Sequence, residues 1–306
     1  MGMSWVAGSV RGRSLTRRRL GRDGARAVAA SPSLEVAVQQ LVRSPYVHDV
    51  RVGQSLAQAQ RGVAATALWH VRVLAGWLPR GGVDVARTLA GPWEIANVSF
   101  ILASMQGAPL ATSHELGALA TISRRLGGAS TPGQVRRSLV VSPWGDPGSD
   151  VPSEILSWMR LRWAERVAAA VPGAFDWAAG YLAMMVARDL FVAGRRPGRR
   201  GWPTSPLGTG WERASSIPDL AGRVPPSARW SLAGIEDGAG LWSAEARWWS
   251  TVERVALERH ARFRPGSPED VVASVALLGV DAWRTRAALE VASRGGQPIE
   301  AFDALG

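Results

Sequence analysis

Helical periodicity constrains this chain more than any other feature. Three stretches read as one helix-turn motif used three times: 91–107 (GPWEIANVSFILASMQG), 181–196 (YLAMMVARDLFVAGRR) and the longer 247–305. In the last, a polar-apolar helix precedes a Pro-started helix at Pro268, and a further helix begins at Asp281 and closes on Arg294-Gly295-Gly296. An acid suits a helix N-terminus and glycine suits the turn past a C-terminus, so each motif carries its own start and stop.

The same period runs through the rest of the chain. Leu34, Val38, Leu41 and Val42 form one stripe, opened by Ser31-Pro32-Ser33 and closed by Ser44-Pro45. A long helical stretch is expected over 47–78, with a bend or break at Gly53 or Gly62. The first repeat helix is expected over 93–105. Ile155, Met159, Trp163, Val167 and Val171 recur every four residues until Pro172-Gly173. Residues 175–193 are apolar nearly all round, which predicts a helix in a bundle centre. Leu241, Ala244, Trp248, Val252 and Val255 form another stripe, with Glu258 and Arg262 as an outer pair. Ser267-Pro268-Glu269-Asp270 reads as a capping start. No strand pattern matches this strength, so the expected fold is all-α, with three pseudo-repeated helical units.

The expected organisation is a basic N-terminal helical region with the first repeat (1–140), a second repeat (141–200), an irregular connection (201–240) and a third repeat (241–306). The stretch 195–240 is rich in Pro, Gly and Arg and has no sustained period, although Trp202, Trp211 and Trp230 favour packing on the helical body.

Composition removes most enzyme classes. All 36 basic residues are Arg, so there is no phosphate-loop Lys, kinase Lys or Schiff-base amine. With no Cys there is no thiolate nucleophile, disulfide frame or Cys-type zinc site. His48, His70, His114 and His260 are scattered, without a ligand-type pair. No Gly-x-Ser-x-Gly elbow and no dinucleotide fingerprint is present. The reading is a non-enzyme that needs no cofactor, metal or small-molecule substrate.

Charge is unevenly spread. The first 26 residues hold seven Arg against the single Asp23, while residues 201–306 carry 11 Arg against 13 acids. Such a basic segment attracts anionic surfaces: nucleic acid, phospholipid head groups or an acidic protein face. Arg11, Arg13, Arg17, Arg18 and Arg19 are the candidate interface, with the Arg-rich stretch 195–200 as the next choice. The plainer alternative is a solvated terminus. No run of about 18 apolar residues suggests a membrane span, and the expected location is cytoplasmic, peripheral to the membrane face.

Several phrases resemble one known family. They are the opening WVAGSVRGRSLTRRRLG, with Arg11 and Arg13 in its basic positions; SLEVAVQQLVRSPY; GPWEIANVSFILASMQG, through Glu94, Asn97, Leu102 and Gly107; and PEDVVASVALLGVDAWRTRAALEVASRG, through Pro268, Val271, Arg284, Leu289 and Gly295. In this order they resemble the C-type (in eukaryotes d-type) central-stalk subunit of the V/A-type rotary ATPases. Val186 and Arg284 stand where that family's motif carries Asn, and 195–240 has no clear counterpart. The resemblance implies a funnel-like, non-catalytic socket on the membrane rotor ring. It would receive the central stalk and couple it to proton or sodium transport. Its partners would be the stalk, the ring and, indirectly, the membrane surface. A basic helical scaffold and a nucleic-acid-binding protein are the alternatives, the latter without a recognisable two-helix base-reading unit.

Overall fold

The computed structural model describes residues 3–197, 201–297 and 299–303; Arg199 and Arg200 of the second basic stretch lie outside them. Among the described residues the chain is all-helical and contains no strand. In chain order the helices are α1 (Met3–Thr16), α2 (Gly21–Ala29), α3 (Leu34–Leu41), α4 (Leu56–Ala75), α5 (Arg80–Leu89), α6 (Gly91–Ser104), α7 (Ser123–Leu126) and α8 (Pro132–Val140). They continue as α9 (Pro152–Ala170), α10 (Phe175–Phe191), α11 (Ile217–Arg223), α12 (Pro226–Arg229), α13 (Leu241–Ala261), α14 (Pro268–Ala292) and α15 (Ile299–Asp303). Two compact units are distinguished: residues 1–86 with 249–306, and residues 87–248.

The first unit is organised around α14. Val271, Val272, Val275, Leu277, Leu278, Val280, Ala288 and Leu289 are buried on several sides of this helix, which packs against α1, α2 and α4. An all-round apolar helix must sit inside a bundle. The sequence suggested two helices here, the second starting at Asp281. Instead α14 is continuous, because Gly279 leaves the backbone hydrogen-bond ladder intact and Asp281 lies in mid-helix. Nor does Asp270 complete a capping box. Ser267 caps through the Glu269 N–H (3.2 Å), and Asp270 turns to the Arg259 Nε (2.9 Å) and the Arg264 N–H (3.0 Å).

Three other expectations shift for local reasons. The stretch 47–78 is not one helix: a 3-10 turn at Pro45–His48 precedes α4, and the break falls at Gly53, whose φ of 82° only glycine adopts freely. Gly62 stays helical, and a Cβ there would lie 2.7 Å from the Asp49 carbonyl oxygen, so it is needed for close approach rather than for bending. Ser33, not Ser31, caps α3 by accepting the Val36 N–H at 3.3 Å, which places Pro32 ahead of the helix. Glu258 pairs with Arg254 (2.7 Å) rather than Arg262.

The second unit has α10 at its centre, as its apolar composition predicts. Ala179, Leu182, Ala183, Val186 and Ala187 are fully buried, and α9 and α12 pack on it. A further cluster joins Val98 and Leu102 of α6 to Ile122, Leu139, Ile155 and Met159. Residues 201–240 are folded, not irregular. They form α11, α12 and short 3-10 turns and bury Leu207, Trp211, Ile217, Leu220, Val224 and Leu232. Their elements are a turn or two long, too short for a period to register in the sequence. Large side chains carry the packing instead; emptying the Trp211 site to Ala would cost about 3–5 kcal/mol.

Candidate functional site

Two buried carboxylates organise the two units by the same chemistry. Glu94, on the first turn of α6, is 1% exposed. It accepts the N–H groups of Thr121 (2.7 Å) and Ile122 (2.9 Å), the indole N–H of Trp144 (2.9 Å), and the hydroxyls of Thr121 and Ser123. Three residues on, Asn97 grips the His114 backbone in both directions, donating to its carbonyl (2.8 Å) and accepting its N–H (2.6 Å). Glu94 and Asn97 together tie the irregular run 108–123 to α6.

Asp281, in α14, is 3% exposed and accepts the N–H groups of Leu20 (3.1 Å) and Gly21 (2.7 Å) and the Tyr46 hydroxyl (2.8 Å). So the acid expected to start its own helix caps the start of α2 instead. Three residues on, Arg284, 2% exposed, forms a two-pronged pair with Glu253 at 3.0 and 2.7 Å. Burial pushes the Asp281 carboxyl above the ordinary carboxylate range, against its hydrogen bonds to Gly21, Tyr46 and Leu20. Burial, then the neighbouring Asp281, raises Tyr46 well above its usual value, so its hydroxyl keeps its proton. For Glu253, burial acts upward, but the hydrogen bonds and charge of Arg284 outweigh it and the carboxyl is held low.

The aromatic partners come from matching hexapeptides. Leu41-Val42-Arg43-Ser44-Pro45-Tyr46 and Leu139-Val140-Val141-Ser142-Pro143-Trp144 each close a capped helix, α3 or α8. In both, the Ser hydroxyl donates to the Leu carbonyl at 2.7 Å and accepts the aromatic residue's N–H at 3.2 Å. Trp144 was missed as a key residue in the sequence; the repeat of Leu-Val-x-Ser-Pro-aromatic is the signal that finds it. In α10 the matching position, three residues before Val186, is Ala183, so there is no acid; a turn earlier, Gly180 has Trp230 packed on it and the Ser231 hydroxyl donating to its carbonyl at 2.9 Å.

The remaining motif residues are structural. Leu102, Val271 and Leu289 are buried, and Pro268 occupies the first turn of α14. Gly107 and Gly295 take positive φ (90° and 84°) after α6 and α14, and Gly194 does so (63°) after α10. Past two of them, the Ala108 N–H reaches the Ala103 carbonyl and the Gly296 N–H the Val291 carbonyl, both at 3.1 Å, closing each helix with the same left-handed turn.

The five N-terminal arginines are not equivalent. Arg17 and Arg18 are exposed; Arg11, Arg13 and Arg19 are partly buried. Arg13 lies over the Phe263 ring at 4.5 Å, and Arg19 donates to the Thr16 carbonyl at 3.3 Å. Elsewhere Arg26, Arg136, Arg195, Arg223, Arg254, Arg259, Arg284 and Arg294 each hold a carboxylate. A cavity of about 560 Å³ in the second unit is lined in part by Arg136, Trp158, Arg195 and Trp202. Among the described residues no cluster of His, Asp and Glu could hold a metal, and no helix is long and apolar enough to cross a membrane. Compared with known proteins, the chain matches no family model and no curated protein.

Proposed function

We propose that this chain is a non-catalytic socket subunit of a V/A-type rotary ATPase, a funnel-like bundle of three repeated units that couples the central stalk to the membrane rotor ring. The observation that carries the reading is the reuse of one device. A long helix is followed by a left-handed glycine and holds a separate segment: through the Glu94 side chain in α6 and the Asp281 side chain in α14, at matching positions, and through the Gly180 backbone, a turn before the matching Ala183, in α10. In the family that the sequence resembles, three such units form the socket. Interior polar groups that bind backbone rather than face a cleft suit a part that transmits force, because fixed, fully paired networks resist deformation.

The test is affinity isolation of the tagged full chain from membranes of its own host under mild detergent. The expected result is recovery with rotor-ring and stalk subunits in constant proportion. Recovery of the chain alone, or with nucleic acid, would overturn the proposal.

A further inference from the structure

The outer face of α1 carries charge that no carboxylate among the described residues answers. Val6, Val10, Arg13 and Arg17 follow at three- and four-residue steps and so share one side of the helix. Arg17 keeps the register just past the end of α1, because its N–H donates to the Arg13 carbonyl at 3.2 Å. The opposite side faces inward: Leu15 and Thr16 are buried, and Gly12 lies against Ser274 of α14. Val10, Arg13, Ser14, Arg17, Arg18 and Phe263 line one groove of about 270 Å³.

Unlike the paired arginines above, Arg13, Arg17 and Arg18 have no ion pair with a carboxylate among the described residues, and α1 contains no acid. Phe263 fixes the Arg13 guanidinium without neutralising it. The uncompensated field reaches inward. His260 is lowered first by burial and then by Arg13; His70 is lowered to about 4, first by burial, then by His48, Arg11 and Arg18. Three guanidinium groups that line one groove, none paired with a carboxylate among the described residues, offer their donors to an oxyanion. Beside it Val6 and Val10 are 41% and 52% exposed, an apolar margin that a free phosphate would leave in water.

We propose that this groove binds the phosphate of an anionic phospholipid headgroup, with Val6 and Val10 seated at the acyl boundary of the bilayer. Basic groups beside exposed apolar side chains are the combination that holds a protein on an anionic membrane surface. A helical protein outside any rotary complex would keep the same groove, so a failed isolation of ATPase subunits leaves this proposal standing.

The experiment is co-sedimentation of the full chain with vesicles of phosphatidylglycerol and phosphatidylcholine in equal parts, at about 0.1 M salt, where screening extends over about 10 Å. Each cation near such a surface contributes about fivefold to partitioning. The triple variant Arg13→Gln/Arg17→Gln/Arg18→Gln is expected to lose roughly 100-fold. A charge-matched control, Arg223→Gln/Arg254→Gln/Arg294→Gln, changes exposed arginines already paired with carboxylates and is expected to lose only a few-fold. Should the triple variant unfold, Arg17→Gln/Arg18→Gln, which alters only exposed side chains, is expected to lose roughly 30-fold. Equal losses in the groove and control variants would overturn the proposal, since net charge alone would then explain binding. So would equal binding to pure phosphatidylcholine, full competition by millimolar inorganic phosphate, or tighter binding to duplex nucleic acid at the same salt.

Discussion

The Glu94 and Asp281 clamps share two kinds of donor, backbone N–H and aromatic, yet the aromatic one differs in its chemistry. Each carboxylate takes two consecutive backbone N–H groups and one aromatic donor. At Glu94 the aromatic donor is the Trp144 indole, which can only donate. At Asp281 it is the Tyr46 hydroxyl, which can donate or accept. The first clamp also takes the Thr121 and Ser123 hydroxyls, so an amide there displaces more donors than one at Asp281 does. A shared architecture thus comes with unequal tolerance, and substitution at the two acids separates architecture from tolerance.

The largest effect is expected for Glu94→Gln. Whichever way the amide points, two donors lose a carboxylate acceptor: the Thr121 and Ile122 N–H groups on one side, or the Trp144 indole and the Thr121 hydroxyl on the other, where Trp144 keeps only the Thr121 Oγ1 at 2.8 Å. Hydrogen bonds to charged groups are worth about 1.5–3 kcal/mol each, so a loss of about 3 kcal/mol in urea unfolding is expected. Amide exchange at Thr121 and Ile122 should accelerate before that elsewhere. A loss below about 1 kcal/mol would mean that the run 108–123 does not depend on α6.

Tyr46→Phe should cost less, about 2 kcal/mol, the range for a hydrogen bond to a charged acceptor. It removes one donor and leaves the Leu20 and Gly21 N–H groups on Asp281. The Tyr46 hydrogen bond also holds the Asp281 carboxyl down. NMR titration of that carboxyl in the variant should therefore move further upward. An unchanged titration would separate the two groups electrically, despite their 2.8 Å contact.

The long elements of this fold were legible because apolar periods survive over several turns: α9, α10 and the first half of α14 follow their stripes closely. Glu94, Asn97, Leu102 and Gly107 could be picked out as a motif, and all four do fixed structural work around α6. What the sequence hid is what they hold. Residues 20–21, 114 and 121–122 offer backbone groups, and a backbone N–H leaves no mark in residue identity. Asp281 is ambiguous in sequence for a related reason. An acid at a helix start and an acid in mid-helix capping a different helix look alike in one dimension. Residues 201–240 were opaque because α11 and α12 are one to two turns long and lean on Pro, Gly and single large side chains such as Trp211.

The smallest effect at neutral pH is expected for Asp281→Asn, and its pH dependence is the sharper probe. The amide oxygen can keep the Gly21 N–H while the NH2 group donates to Tyr46, whose hydroxyl turns to accept; only Leu20 loses its acceptor, at a cost of about 1 kcal/mol. In the parent protein burial raises Asp281 above the ordinary value near 3.9. The folded state then takes up this proton at a higher pH than the unfolded chain does. Stability contributed through that proton is complete below the ordinary value and is lost as pH rises through the raised one. Asn carries no such proton. The stability advantage of the parent over Asp281→Asn should therefore be greatest at mildly acidic pH, where the fold still holds, and shrink toward pH 8. Paired urea titrations across that range read the difference directly. An advantage that grows with pH would mean that the hydrogen bonds from Gly21, Tyr46 and Leu20 outweigh burial, and that the Asp281 clamp depends on a charged carboxylate.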